Sequence, residues 1–268
     1  MRIALVDAGI GLLAAAAALR RLRPDADLVL SSDPGGIPWG PRSPEDVMAR
    51  ALIVAEAAAA WAPDALVVAC NTATVHALPG LRARFEPDLP VIGTVPAIKP
   101  AAAGGGPFAV WATPATIGSP CLRGLIETYA PGMAVTEVAC PGLSDAVESA
   151  DEAAVDLAIS EAARRTPDDV RGVVLGCTHY ELVAERVRAA LRRPGRPPLA
   201  LHGTAGAVAA QALRRVGRRP EPGAPADGTL TVLLDGRPAK LPARAGVYAE
   251  GRLLRPRDRA HPGAGHGA

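Results

Sequence analysis

The chain has 268 residues, 49% of them hydrophobic, enough to bury a sizeable core in one large domain or two of ordinary size. Its 29 basic and 27 acidic side chains leave a formal charge of +2 and form no concentrated basic stripe, which argues against a nucleic-acid footprint. The apolar stretches from Ile10 to Leu19 and Ala51 to Ala62 are too short or too interrupted to span a bilayer, and the first apolar run ends in Asp7 and a glycine-rich turn rather than a cleavage site. The expectation is a soluble, cytoplasmic protein without a membrane partner.

Short apolar runs alternate with Ala-rich helical segments, the pattern of an α/β protein with largely parallel sheets. Strands are predicted at Ile3 to Val6, Leu28 to Leu30, Ala65 to Ala69 and Val91 to Thr94, and again at Phe108 to Trp111, Ala134 to Val138, Val173 to Gly176 and Leu199 to His202. Corresponding positions are offset by 105 (Ile3 to Phe108), 107 (Leu28 to Val135), 107 (Cys70 to Cys177) and 108 (Val91 to Leu199). A nearly constant offset implies two pseudo-symmetric, doubly wound lobes with the active site between them. The first lobe is expected over 1–100 with part of 208–257, and the second over 101–207. Ala101 to Pro107 joins them, its Gly104-Gly105-Gly106 run acting as a flexible linker. Beyond residue 211, short strands are predicted at Leu230 to Leu234 and Ala245 to Ala249. The remainder reads as Arg-, Pro- and Gly-rich connection with no assigned chemistry, and 258–268 as a disordered tail in which His261 and His266 are solvated.

Four widely spaced cysteines, without a Cys-x-x-Cys pair, suit neither a disulfide scaffold nor a zinc site and are expected to be free thiols. A lone cytosolic cysteine is ordinarily a small buried hydrophobe. Cys70 and Cys177 differ because they stand at the ends of matching strands, where open α/β sheets gather ligands. Asn71 and Thr72 follow the first, and Thr178 and His179 the second. Two opposed thiols suit a reaction in which a proton leaves one face of a carbon and another arrives on the opposite face. The ordinary thiol pKa of about 8.5 lets one be thiolate while its partner stays protonated. Cys121 reads as structural and Cys140 as a pocket neighbour at best. Only Lys99 and Lys240 are available for a Schiff base with pyridoxal phosphate. His179 would orient or share the proton of Cys177, its bland alternative being a hydrogen-bonded core histidine. Asp7 would do the same around Cys70 or meet a substrate ammonium, its alternative being an N-cap for the helix that follows. Gly9-x-Gly11-x-x-Ala14 loosely fits a dinucleotide fingerprint. Against it stand the negative charge of Asp7 and the corresponding turn Thr113-Pro114-Ala115-Thr116, which has no glycines.

Several segments resemble those of glutamate racemases, within the PLP-independent aspartate/glutamate racemases. They are Asp7-Ala8-Gly9-Ile10-Gly11, Asp33 with Pro38-Trp39-Gly40, Arg42-Ser43-Pro44-Glu45, Cys70-Asn71-Thr72-Ala73, Val91-Ile92-Gly93 with Pro96-Ala97, Thr113 and Thr116 with Ser119, Cys140-Pro141 with Glu148, and Gly176-Cys177-Thr178-His179-Tyr180. The resemblance implies cofactor-independent and metal-independent interconversion of L- and D-glutamate, the D form feeding peptidoglycan, with pairing as a homodimer common in the family. It places Cys70 on the D-substrate side and Cys177 on the L side, with Asp7 and His179 assisting and Glu148 in support. Asn71, Thr72, Thr116 and Thr178 would hold the substrate carboxylate and ammonium, Pro38, Trp39, Gly40 and Ser43 would line the side-chain end, and Ala8 stands at a further substrate contact.

The chain departs from the family's usual pattern, which has Ser at Ala8, Gly at Leu12, Tyr at Trp39, Pro at Glu181 and an acid within Leu201-His202-Gly203-Thr204. These departures leave two other readings open: a racemase of aspartate, hydantoin or another small acid, or a catalytically weakened homologue that binds or regulates. The intact pair Cys70 and Cys177 favours the enzyme.

Overall fold

The first strand is buried on both faces, and this decides how the chain layers. In β1 (Arg2–Asp7), Ile3 and Leu5 enter one core while Ala4 and Val6 enter another, the period-two signature of a strand covered on both faces. The computed structural model describes residues 1–195 and 197–255. The predicted tail at 258–268, with His261 and His266, lies outside the described residues.

After β1 the chain makes a 3-10 turn (Ile10–Leu12) and α1 (Leu13–Leu22), then β2 (Asp27–Ser32), α2 (Pro44–Ala59), β3 (Ala65–Val68), α3 (Asn71–His76), α4 (Leu78–Phe85), β4 (Val91–Ile92) and α5 (Ile98–Ala103). The second half runs β5 (Phe108–Ala112), α6 (Pro120–Tyr129), β6 (Val135–Ala139), α7 (Leu143–Ser149), α8 (Glu152–Arg165), β7 (Gly172–Leu175), α9 (Thr178–Glu181), α10 (Ala184–Ala190), β8 (Ala200–His202) and α11 (Ala205–Arg215). A hairpin of β9 (Leu230–Leu234) and β10 (Arg237–Ala239), a 3-10 turn (Ala243–Val247) and α12 (Ala249–Leu254) complete it.

Two sheets result, ordered β10-β9-β2-β1-β3-β4 and β6-β5-β7-β8. Every strand pair is parallel except β9 with β10. The segments β2-β1-β3-β4 and β6-β5-β7-β8 share one topology, and the registers match: Ile3 pairs with Leu28 as Phe108 pairs with Val135. The eight strands of the repeated set lie within two residues of their predicted bounds, the usual uncertainty of element ends.

One core is shared by both sheets. It takes Leu5 and Val67 from the first, Trp111 and Leu175 from the second, and α1 between them with Leu13, Ala16 and Leu19. Alanines along α1 let it approach α11 and α12 closely. The chain also crosses over twice. Helix α5 packs on α6 and β7 of the second sheet, its Ile98 and Ala101 joining Phe108 and Val110, while α11 packs back on α1 and β3 of the first.

The strand predicted at Ala245 to Ala249 is instead the end of a 3-10 turn and the start of α12. Its apolar residues Ala245 and Tyr248 are buried three apart, which brings both to one side of a helical turn and fits no two-residue alternation. Leu230–Leu234 forms as predicted and extends the first sheet beside β2. Among the described residues no helix is long and apolar enough to cross a membrane.

Leu19 is fully buried in the shared core. Leu19→Ala is expected to lower stability by about 2–5 kcal/mol, read as a reduced urea midpoint with an unchanged slope.

Candidate active site

Three strand ends build the site. β1 ends at Asp7, β3 leads through Ala69 into Cys70, and β7 leads through Gly176 into Cys177. Both cysteines have extended backbones and immediately precede short helices, α3 and α9. The repeated topology therefore delivers two thiols to the carboxyl ends of equivalent strands, on one cavity of about 300 Å³.

The cavity is lined by Asp7, Ala8, Pro38, Trp39, Gly40, Cys70, Asn71, Thr72, Thr116, Glu148, Cys177, Thr178 and His179, all expected from sequence. Ser43 is the correction. Its hydroxyl accepts the Asp46 N–H at 3.2 Å and caps α2, so it supports the helix rather than lining the cavity. Sequence reasoning passed over Gly142, Ser144 and Asp145, which line the wall after β6. Cys140-Pro141 at the end of β6 was the available signal, since β6 runs in the same direction as β7 and Pro141 lines the same cavity. All four cysteines are unpaired. Cys140 is buried behind the wall, its backbone oxygen accepting from the Tyr180 hydroxyl at 3.3 Å.

On the Cys177 side, Sγ lies 3.9 Å from His179 Nδ1, and His179 Nε2 lies 2.9 Å from Glu148 Oε2. Glu148 Oε2 also accepts the Ile10 N–H at 2.7 Å, and Oε1 accepts from Arg244 Nε at 3.1 Å and Nη2 at 2.7 Å. Glu148 is therefore a buried, fully engaged carboxylate, not a solvated cap. Arg244 lies in the segment after residue 211, to which the sequence assigns no chemistry, and the fold brings it onto Glu148. No local signal marks it, because it is one arginine in an Arg-rich stretch, 96 residues from its partner.

On the Cys70 side, Asp7 is almost wholly buried, with Oδ1 accepting the Ala8 N–H at 2.7 Å and Oδ2 left without a hydrogen-bond partner among the described residues. It does not cap the turn that follows, whose N-cap is Gly9. Asn71 donates through Nδ2 to the Gly176 carbonyl at 2.8 Å, which joins the two cysteine loops, and its Oδ1 is also buried without a partner.

Glycines at the first turn are required by these carboxyl groups. A Cβ at Gly9 would overlap the Glu148 carboxylate, and one at Gly11 would lie 2.5 Å from Asp7 Oδ2 and 2.7 Å from His179 Nδ1. The space that a dinucleotide loop opens for a pyrophosphate is already filled here by two acids and an imidazole. That fills the place the loose fingerprint needs for its phosphates. Among the described residues no three His, Cys, Asp or Glu side chains are grouped to hold a metal ion.

Burial sets the charge states. It pushes the Asp7 carboxyl up to about 7, against the pull of the His179 imidazole, the Cys70 thiol and the Ala8 N–H. Burial, reinforced by the charge of Asp7, raises the Cys70 thiol well above its ordinary value. Burial alone would lower His179, but its contacts with Cys177 and Glu148 hold it well above the usual imidazole range. Burial likewise opposes the ionisation of Glu148, yet His179, the Ile10 N–H and Arg244 keep its carboxyl below the usual range.

Two of the unusual positions explain each other. Glu181 Oε1 accepts the Thr204 N–H and hydroxyl, each at 2.8 Å, and both carboxylate oxygens reach the Ala205 N–H, so Glu181 caps α11 from the end of α9. A Cβ at Gly203 would lie 2.5 Å from Glu181 Oε2. A side chain at 203 would therefore compete with Glu181 for the same space.

The family model described as Asp/Glu/Hydantoin racemase matches residues 11–212. The chain belongs to this racemase family. Among curated relatives, it is 42% identical over 199 residues to the glutamate racemase of Roseiflexus sp. (strain RS-1), covering 70% of each chain. It is 33% identical over 223 residues to that of Pseudomonas syringae pv. tomato, covering 81% of this chain and 78% of the relative. Among solved structures, Escherichia coli glutamate racemase in complex with L-glutamate is similar over 91% of each chain, with a TM-score of 0.77 and 26% identity. The Thermus thermophilus glutamate racemase is similar over 94% of this chain and 92% of that one, with a TM-score of 0.65 and 29% identity. Membership of the Asp/Glu/hydantoin racemase family accords with two thiols on one cavity.

The Asp7 carboxyl is expected to titrate with a midpoint near 7 in ¹³C NMR, its resonance being absent from Asp7→Asn. Because the folded value lies above the ordinary 3.8, this group's contribution to stability is complete below pH 3.8 and is lost as pH rises through about 7. Asp7→Asn should flatten that part of the stability profile, measured by urea midpoints.

Proposed function

We propose that the protein interconverts L- and D-glutamate by a cofactor-independent two-base reaction, with Cys70 and Cys177 as the opposed acid and base. The observation that carries this reading is the pair of thiols at equivalent strand ends on one cavity, each with its own titratable companion. One thiolate removes the α-proton, leaving the electron pair on the carbon and its carboxylate, and the opposite thiol delivers a proton to the other face. Product release leaves the two thiols with exchanged protonation states, ready for the other enantiomer. Cys70 acts on the D-substrate and Cys177 on the L-substrate.

Asp7 and His179 serve as the companions that make these exchanges accessible near neutrality. The Asp7 carboxyl, held at about 7, takes or returns a proton beside Cys70, and His179 does so beside Cys177 with Glu148 behind it. Asp7 Oδ2 and Asn71 Oδ1 are buried acceptors without donors, and a substrate ammonium supplies the N–H groups that they lack. Thr72, Thr116 and Thr178 offer hydroxyls for the substrate carboxylate, while Pro38, Trp39 and Gly40 shape the side-chain end and Ala8 adds an apolar contact. Neither Lys99 nor Lys240 lines the cavity, so no lysine there is placed to form a Schiff base. The corresponding biological role is supply of D-glutamate for peptidoglycan in the cytoplasm, by a protein that pairs as a homodimer.

Proton NMR with L-glutamate in heavy water should show loss of the α-proton together with decay of optical rotation. Cys70→Ser and Cys177→Ser should each lower racemisation by about 10²-fold or more. A folded protein that exchanges no α-proton with glutamate would refute the substrate assignment, and inactivity with aspartate and small hydantoins as well would refute the reaction.

A further inference from the structure

Arg244 reaches the site from the C-terminal 3-10 turn without lining the cavity. Its Nε and Nη2 both donate to the single oxygen Oε1 of Glu148, two charge-assisted bonds from one edge of the guanidinium that hold it against that oxygen. That leaves Glu148 Oε2 for the Ile10 N–H and His179 Nε2. The turn itself is anchored beside the same glutamate. Ala245 is fully buried, and the Tyr248 hydroxyl donates at 2.5 Å to the carbonyl of Val147, the residue before Glu148. Arg252 closes the turn by donating to the Gly246 and Val247 carbonyls at 3.2 and 2.6 Å.

We propose that Arg244 is a positioning residue for proton transfer at Cys177, acting through Glu148 on His179. The inference rests on the reading of Cys177 as a proton-transfer group.

The groups that face the imidazole are Glu148 from α7, Cys177 from its own loop and Asp7 from the end of β1, with Cys70 behind Asp7. Arg244 is the cation on the far oxygen of Glu148. Its effect is partly geometric, since a carboxylate gripped on Oε1 cannot rotate Oε2 away from the imidazole. It is also electrostatic. The guanidinium takes up part of the carboxylate's field, and without it the whole negative charge bears on His179, which then releases its proton less readily. Lysine would keep the charge and lose the fork.

The test compares Arg244→Met and Arg244→Lys with the wild type. Ring ¹⁵N NMR of His179, assigned with His179→Gln, is followed against pH without substrate, alongside kcat and KM for both glutamate enantiomers against pH. In Arg244→Met the imidazole midpoint should rise by about half a unit or more. The value of kcat should fall about tenfold, with KM changing less and the kcat pH profile moving upward with the imidazole. Arg244→Lys should restore most of the midpoint and only part of kcat. An unchanged His179 titration and kcat pH profile in folded Arg244→Met would overturn the proposal. If that variant does not fold, wild-type values for both in Arg244→Lys would do the same. A wild type that racemises nothing, with a His179 midpoint that still moves in the variants, would refute the catalytic reading while supporting the Arg244–His179 coupling.

Discussion

A carboxylate withdrawn from water costs several kcal/mol unless its oxygens are occupied, and Glu148 meets that condition with partners from every part of the molecule. The turn after β1 supplies the Ile10 N–H, the short helix α9 after β7 supplies His179, and the C-terminal turn supplies Arg244. Glu148 itself stands on α7 of the second half. A single ionised side chain thus fixes the relative placement of the first strand's exit, one cysteine loop and the returning chain end. Gly9 and Gly11 permit it by leaving no side chain in the way.

The backbone is near-symmetric and the chemistry on it is not. Equivalent strands β3 and β7 present equivalent thiols, but Cys70 has a buried acid with a free oxygen beside it and Cys177 has an imidazole backed by an ion pair. Enantiomers are equal in free energy, so the overall equilibrium demands no difference between the two halves. Each half-reaction nevertheless meets its own electrostatic surroundings. The core shared by the two sheets and the exchanged helices α5 and α11 hold these unlike halves in register.

The strand ends were legible because each apolar run stops abruptly at polar residues, and because the pattern occurs twice at a near-constant spacing. Cys70 and Cys177 follow from that, whereas Asp7 and His179 kept an N-cap and a core-histidine alternative and were singled out with the help of the resemblance. Ser43 was misplaced although Ser43-Pro44-Glu45-Asp46 carries the ordinary signal of a helix start, a serine ahead of a first-turn proline and two acids. The partners of Glu148 were not legible, since contacts across 138 and 96 residues leave no trace in local periodicity. The Ala245 to Ala249 segment failed for a related reason: short apolar runs are ambiguous between strand and turn until the surface that they bury against is known.

The fit of Glu181 against Gly203 limits which substitutions the chain accepts singly. With an acid at both, two carboxylates would collide at the head of α11. With an acid at neither, the Thr204 and Ala205 N–H groups would lose their acceptor. A substitution at either position alone is therefore expected to cost stability, an acid at 203 by collision and loss of Glu181 by uncapping α11. Read singly, each looks like decay of the site. Together they place one charge at the head of α11.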